Sequence, residues 1–545
     1  MIRSLLAMAL VASSLVQGSG CGACPAESDV GIPSPPRDVG AQQLERPPQP
    51  PTVSSAPLNP RAMTLETLTD SRLPVSVSFG PLGHRVAWLA DTGTDRQRYV
   101  VDGEDGPPFL TTRGGIFSSA GQQFAYAGQA GPTSRSPIAG DWTVIVGKER
   151  YGPYEDVHGI RFADNGSVMW RAKLPAASAS ASSSARFAMV VDGVSDPQFS
   201  KLPSSGLLFG VSGELLAYRA RSPVGWHVVQ NGQPGPAFDQ VGTPTRSSDG
   251  RTVAYVGRRG DELWLVAGAR KVALAGQSVE SIVVLDGGEV TVLLDRRVLW
   301  RDATGARPTR IAAKSITHLV HVRGTVGYVR VDGPEATVVV GDTTRKLPPS
   351  TTVSALRVSP DARRFVAFGR HGDRVSAFVD MESTWPASGS ISNLRWSKDG
   401  RALAYVMSQT GGPAERHRPA LQQFIVVDGE TFGPFRSVQE LSLSPTDSHF
   451  AFVAKPEGRP PELWVDGVRK RAFEAGAVVS FMRWTPAGRW IASLKDKQGQ
   501  RLIWDGGASR NFDDIYSLKV DASSGVIGAG VRTGRELRWE TMTLP

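Results

Sequence analysis

An all-β repeat fold is predicted by three features of this 545-residue chain. A short pattern recurs about twelve times between Ser76 and Pro545, each copy carries several short apolar runs, and turn signals separate the runs. Self-similarity at a period of about 20 to 50 residues marks units that stack to bury a shared core.

The clearest copy is Ile391 to Val406 followed by Gln423 to Phe435. Others begin at Val77, Pro244, Val353, Glu440 and Phe481. Each reads as four strands. The first is an apolar run ending near a Ser. Ser397-Lys398-Asp399-Gly400 then supplies turn residues, with the glycine free to take positive φ. The second strand, Ala402 to Met407, is mostly apolar, as a strand covered on both faces should be. The third ends in Val-Asp-Gly, as at residues 101–103, 191–193, 427–429 and 465–467. Asp-Gly between strands predicts a type I′ hairpin, whose two central residues both need φ > 0. The fourth strand is expected to begin with Gly-Pro-aromatic, as at Gly106-Pro107-Pro108-Phe109, Gly152-Pro153-Tyr154 and Gly433-Pro434-Phe435. Proline is tolerated on an outer strand, whose amides need no partner.

The residue closing each first strand recurs at Phe79, Phe117, Phe162, Phe209 and Arg246, then at Val358, Trp396, Leu443 and Trp484. The gaps are 38, 45, 47 and 37, then 38, 47 and 41. The 112 residues between Arg246 and Val358 hold two degenerate copies, around Val284 and His321, and a last copy surrounds Val520. Four strands in each such interval predict β-propeller blades rather than a sandwich or solenoid. Because propellers usually hold about four to eight blades, twelve are expected to divide into two tandem six-bladed rings, 63–315 and 316–545, with a five-plus-seven split or one oversized ring as the alternatives. The last copy supplies three strands, Ile515 to Ala522, Val526 to Arg532 and Glu536 to Leu544. Met63 to Thr69 is expected to add the fourth and remove an exposed sheet edge.

The Ser-x-Asp-Gly-Arg turns followed by an apolar Ala-Tyr/Phe-Val strand, as at Ser397 to Val406 and Ser247 to Val256, resemble the TolB-type, WD-repeat-like bacterial propeller repeat. The resemblance covers about residues 76 to 545 and implies a fold, not an activity. TolB carries an α/β domain before its propeller, where this chain has a proline-rich stretch. Its role in the Tol–Pal envelope system is therefore not carried over.

Residues 1–20 read as an export signal: Arg3, a short apolar core from Leu5 to Val16, then Gly18-Ser19-Gly20 before Cys21. The core is too short to span a membrane as a helix. The small-small-Cys junction resembles a bacterial lipoprotein signal, although Gly18 stands where that family usually has an aliphatic residue. The resemblance implies lipidation of Cys21, attachment to a membrane and an outer-membrane or periplasmic location; ordinary cleavage and secretion is the alternative. Cys24, the only other cysteine, forms Cys-Gly-Ala-Cys with Cys21 but lacks the strand–helix setting of a redox site. Residues 21–62, rich in Pro, Ser and Gln, read as a disordered tether.

The formal charge is +9, from 61 Lys and Arg against 52 Asp and Glu. It fits a solvated basic surface or a polyanionic partner such as an acidic glycan. No basic–aromatic pattern points to nucleic acid. Catalytic residues, cofactors and metal ligands are not expected. Gly210-Val211-Ser212-Gly213 and Gly276-Gln277-Ser278 are incomplete nucleophile elbows. His318 and His321, three apart on one strand, would point to opposite faces. The pairs Glu104-Asp105, Glu155-Asp156 and Asp513-Asp514 read as solvated turn residues.

Three copies carry insertions between their second and third strands: Gln129 to Asp141, Pro175 to Arg186 and Ser408 to Gln422. Insertions on one face of a repeat protein often mark its binding face. The third holds Arg416, His417 and Arg418, the candidate partner-binding residues. These features lead to an expected non-catalytic, exported binding scaffold of the bacterial cell envelope, taking an envelope protein or acidic glycan as partner. A hydrolase or lyase acting on glycans in a propeller funnel is the alternative.

Overall fold

A computed structural model describes residues 61–68, 74–92, 96–131, 141–175, 185–276, 278–302, 309–372, 374–380, 382–387, 389–410, 421–445, 448–521 and 523–544. The described residues form twelve antiparallel sheets of four strands, numbered here as blades in chain order. In blade 5 the first strand is split into Gln240–Val241 and Thr245–Arg246, both paired with Val253–Arg259.

The repeat maps directly onto the strands. First strands end at Phe79, Phe117, Phe162, Phe209, Arg246, Val284, Val358, Trp396, Leu443, Trp484 and Val520. Only blade 7 is displaced, ending at Val322 rather than His321. The second strands are the most apolar because each is covered on both faces. Val86–Asp91 and Phe450–Lys455 are buried at every position but the last.

One apolar cluster fills each interface between consecutive blades. Between blades 2 and 3, Trp142 and Tyr154 meet Val168 and Trp170. Trp170 is fully buried. Cutting such a residue to alanine costs about 3–5 kcal/mol. Blades 10 and 11 meet through Leu463 and Val465 against Trp484 and Leu494.

Two of these clusters overturn the division into rings. Blade 6 packs on blade 7 through Leu293 and Leu299 against Ile316 and Tyr328. Blade 12 packs on blade 1 through Leu537 and Trp539 against Phe79 and Trp88. The rings of Phe79 and Trp539 lie 5.9 Å apart. Two six-bladed rings would instead pack blade 6 on blade 1 and blade 12 on blade 7. The twelve blades form one circuit, and Ser315 is the fully buried first residue of blade 7 rather than a junction. Repeat number sets how many units there are; the packing of their faces sets where the ring closes.

The closing strand is as expected, two residues early. Arg61–Thr67 pairs antiparallel with Glu536–Met542 and becomes the outermost strand of blade 12. The Gly-Pro-aromatic motif is corrected: it ends the fourth strand, as in Glu149–Tyr154 and Glu430–Phe435. The Asp-Gly turn is so tight that pairing resumes at once, and the proline falls where the ladder shifts register. Tyr154 then re-pairs with Trp142, and Phe435 with Gln423. The aromatic side chain plugs the inter-blade core: Phe109, Tyr154 and Phe435 are all buried.

The Val-Asp-Gly turns have the expected backbone, with φ of 46° at Asp428 and 90° at Gly429. An added Cβ at Gly429 would meet nothing within 4 Å. Gly429→Val is therefore expected to destabilise through backbone strain alone, by about 1–3 kcal/mol. A melting temperature equal to that of the unaltered protein would refute this turn geometry.

Candidate ligand-binding surfaces

The motif residues are engaged in holding turns together. Ser397 Oγ donates to Asp399 Oδ1 at 2.5 Å and accepts the Ala402 N–H at 2.9 Å. Asp399 also accepts the Arg401 N–H at 3.1 Å. The same three bonds recur at Ser247/Asp249 and Ser359/Asp361. In the Val-Asp-Gly turns the carboxylate has a second task. Asp102, Asp192, Asp428 and Asp466, and Asp380 at the equivalent position of Val379-Asp380-Met381, each accept the first N–H of their blade's second strand, at 2.8–3.0 Å. Four of them take a further partner on the remaining oxygen: Arg85, Ser167, Arg364 and His449. Each such carboxylate ties one hairpin of the blade to the next. Turn propensity alone gave no sign of this clamp.

The acidic pairs are ion-paired rather than merely solvated. Lys148 faces Glu104, Arg98 faces Asp105, Lys173 faces Glu155, and Arg113 and His158 share Asp156. Arg532 spans Asp513 and Asp514. His318 and His321 do not converge. A bulge after Thr317 puts His318 at φ 54°, with Nε2 3.0 Å from the Val353 carbonyl, and burial lowers its pKa. His321 Nε2 accepts the Gly324 N–H. Among the described residues no three His, Cys, Asp or Glu side chains cluster as a metal site, and no helix is long and apolar enough to cross a membrane.

A cavity of about 540 Å³ lies between blades 1 and 2 and is lined by Arg85, Asp102, Tyr126, Lys148 and Arg150. Burial pushes the Tyr126 hydroxyl up to about 12. A smaller counterpart of about 300 Å³ between blades 8 and 9 is lined by Arg364, Asp380, Tyr405 and Asp428. In it Arg364 bridges Asp380 and Asp428. Recurrence on two pairs of blades, with the key charges already paired, makes these crevices products of blade geometry rather than a unique site.

The insertions lie where expected, between second and third strands: Phe124–Gln129 and Trp142–Val146, Val168–Leu174 and Arg186–Val191, Leu403–Thr410 and Leu421–Val427. In an up-and-down blade second and third strands are joined at the edge opposite the Ser-x-Asp-Gly and Val-Asp-Gly turns, so the strand ends flanking all three insertions lie on one face. Arg416, His417 and Arg418 lie outside the described residues, as do Cys21 and the whole 1–60 segment.

A different polar surface emerges on the inner wall. One rung before the end of the first strand stand Arg357, Arg395, Arg483 and Lys519, opposite Val366, Ala404, Ile491 and Gly528. All four are exposed, in blades 8, 9, 11 and 12. A basic residue just before the strand-closing residue was visible in the sequence. Only the common register shows that the four share one level of the wall.

No protein-family pattern matches the chain, and no curated protein matches it in sequence. Solved structures do resemble it. A eukaryotic initiation factor is 14% identical, with a TM-score of 0.35, over 62% of this chain and 92% of that one. The β-propeller domain of the Trilobed protease from Pyrococcus furiosus is 10% identical, with a TM-score of 0.26, over 59% and 98%. The Dos1 propeller is 8% identical, with a TM-score of 0.26, over 55% and 91%. At these identities the likeness concerns the fold alone.

The turn bonds carry a pH dependence. The Ser397 hydroxyl and Arg401 N–H hold the Asp399 carboxyl below its ordinary 3.8. A depressed carboxylate stabilises the folded state above the unfolded pKa, and that contribution is lost as pH falls through the folded value. Asp399→Ala should therefore lose less stability than the unaltered protein on acidification below 3.8. Equal losses in parallel denaturant titrations would show that the turn carboxylate contributes nothing.

Proposed function

We propose that this chain is a non-catalytic binding scaffold of the bacterial cell envelope, exported through residues 1–20 and held to a membrane by a lipid on Cys21. An all-β propeller suits this role because it is a rigid body offering two faces and an inner wall. The Ser, Asp and Gly motifs are explained by turn hydrogen bonds and call for no chemistry. The observation that carries the reading is that the strand ends flanking the three insertions, in blades 2, 3 and 9, lie on one face. Loops displayed together on a rigid scaffold are a usual site of recognition. The expected partner is an envelope protein or acidic glycan, met by Arg416, His417 and Arg418. Arginine forks bind carboxylate and phosphate groups in a geometry lysine cannot copy. No nucleic-acid role is proposed.

Two outcomes are expected. Cys21→Ser abolishes incorporation of labelled fatty acid; persisting incorporation would remove the lipid anchor from this proposal. Alanine at Arg416, His417 and Arg418 together weakens capture of the envelope partner by about tenfold, a loss of about 1.4 kcal/mol. Undiminished capture would refute this face, and turnover of a glycan or peptide by purified protein would replace the scaffold with an enzyme.

A further inference from the structure

We propose that the inner wall of blades 8 to 12 is a binding site for a linear acidic glycan, held through Arg357, Arg395, Arg483 and Lys519. The proposal rests on the scaffold reading and assigns that scaffold a ligand class and a second site, away from the insertion loops.

The four cations occupy one rung on strands that neighbour one another in the ring. Blade 10, between Arg395 and Arg483, contributes Ser442 there, opposite Ala451. A cavity shows that this rung faces a shared space. About 310 Å³ in volume, it is lined by Lys519 of blade 12 together with Ser78 of blade 1 and Ile116 of blade 2. Ser78 and Ile116 hold the same rung, opposite Ala87 and Ala125. Side chains at this level of three consecutive blades thus line one hollow. The common register places Arg357, Arg395 and Arg483 on the continuation of the same wall.

These cations stand apart from the many arginines elsewhere that are spent in ion pairs. Among the described residues Arg357 and Arg483 donate only to the carbonyls of their own neighbours, Leu356 and Met482. Arg395 and Lys519 have no partner among the described residues. Partial desolvation lowers the Lys519 pKa, although the side chain as a whole is exposed. The first strands of blades 8 to 12 carry two carboxylates, Glu440 and Asp514, and Asp514 is taken by Arg532. On the other side of the ring the rung is mostly uncharged, with Leu208, Thr245 and Val283 in blades 4 to 6. Arg161 of blade 3 lies over the Phe209 ring, 3.8 Å from its centroid. Like charges gathered on one concave wall repel one another and focus a positive field, which a bound polyanion relieves.

A second, independent feature lies beside Arg483. Phe481 has φ 53° and is 36% exposed. Gly114, Gly159, His318 and Asn393 take positive φ at the same bulge of their blades, so the backbone belongs to the repeat and only the aromatic side chain is particular to blade 11. Here the positive φ accompanies a bulge between Ser480 and Arg483 and leaves an aromatic ring partly exposed among the cations. An aromatic face beside arginine forks suits a sugar ring bearing carboxylates. Single-stranded nucleic acid would call for successive stacking platforms. On these strands the other large rings are committed to packing: Trp484 is buried, Tyr516 lies 6.2 Å from Phe79, and Trp396 packs on the core between blades 8 and 9 with the Arg364 guanidinium 5.4 Å from its centroid.

The test measures binding of oligogalacturonate, a linear polyuronate, to the purified protein by calorimetry. Neutral dextran, polyglutamate and single-stranded DNA serve as the other arms. Oligogalacturonate is expected to bind, more weakly as salt rises, while dextran does not. Combining R357A, R395A and R483A should weaken binding at least tenfold with an unchanged melting temperature, since none of the three makes an ion pair among the described residues. K519E is a second variant expected to weaken it. Alanine at Arg416, His417 and Arg418 should leave oligogalacturonate binding intact, which separates this site from the loop face. Absence of binding, equal binding by both wall variants, or tighter binding of polyglutamate or DNA would overturn the proposal.

Discussion

Apolar packing of one blade against the next is the interaction on which the whole molecule depends. Every interface from the first blade to the last, and from the last back to the first, is filled by its own buried cluster. The second strands contribute most because they are sandwiched between neighbouring sheets. A single blade exposes both faces and has no core of its own. Closure is therefore a condition of stability, and the pairing of Arg61–Thr67 with Glu536–Met542 meets it by completing the last blade from the beginning of the repeat region.

The polar residues divide into those that serve this packing and those that do not. The Asp of each Val-Asp-Gly turn holds a tight hairpin and also satisfies the first amide of the second strand, so one side chain joins two turns at the rim of a blade. Ser and Asp in the Ser-x-Asp-Gly turns form a closed set of local bonds. Deeply buried acids are matched as well: Glu540 to Arg510, and Glu462 to Arg459 and Arg469. Other charges take no part in these bonds. Among them are Arg357, Arg395, Arg483 and Lys519 on the inner wall of the later blades, where the ring geometry brings side chains from separate repeats to one level.

Ring size shapes that wall. Twelve blades in one circuit enclose a wider channel than the usual smaller propellers. The inner strands then present a long concave surface that water can reach. Exposed Arg357, Arg395 and Arg483 are compatible with such a wetted channel and would be costly in a tightly filled one.

The sequence by itself determined the strand-level architecture. Turn chemistry and apolar runs are local, so the four-strand unit, its twelve copies, the closing strand and the placement of the insertions could all be read from residue order. Two things were decided only by tertiary structure. The first is the single ring: the choice between one circuit and two depends on whether Leu293 meets Ile316 and Phe79 meets Trp539, contacts between faces that no spacing encodes. The second is the cationic wall. Arg357, Arg395, Arg483 and Lys519 lie far apart in the chain amid many other basic residues, and only the register of their strands makes them neighbours. Local propensity specifies a unit, whereas the assembly of units and the surfaces they share are set by packing across the ring.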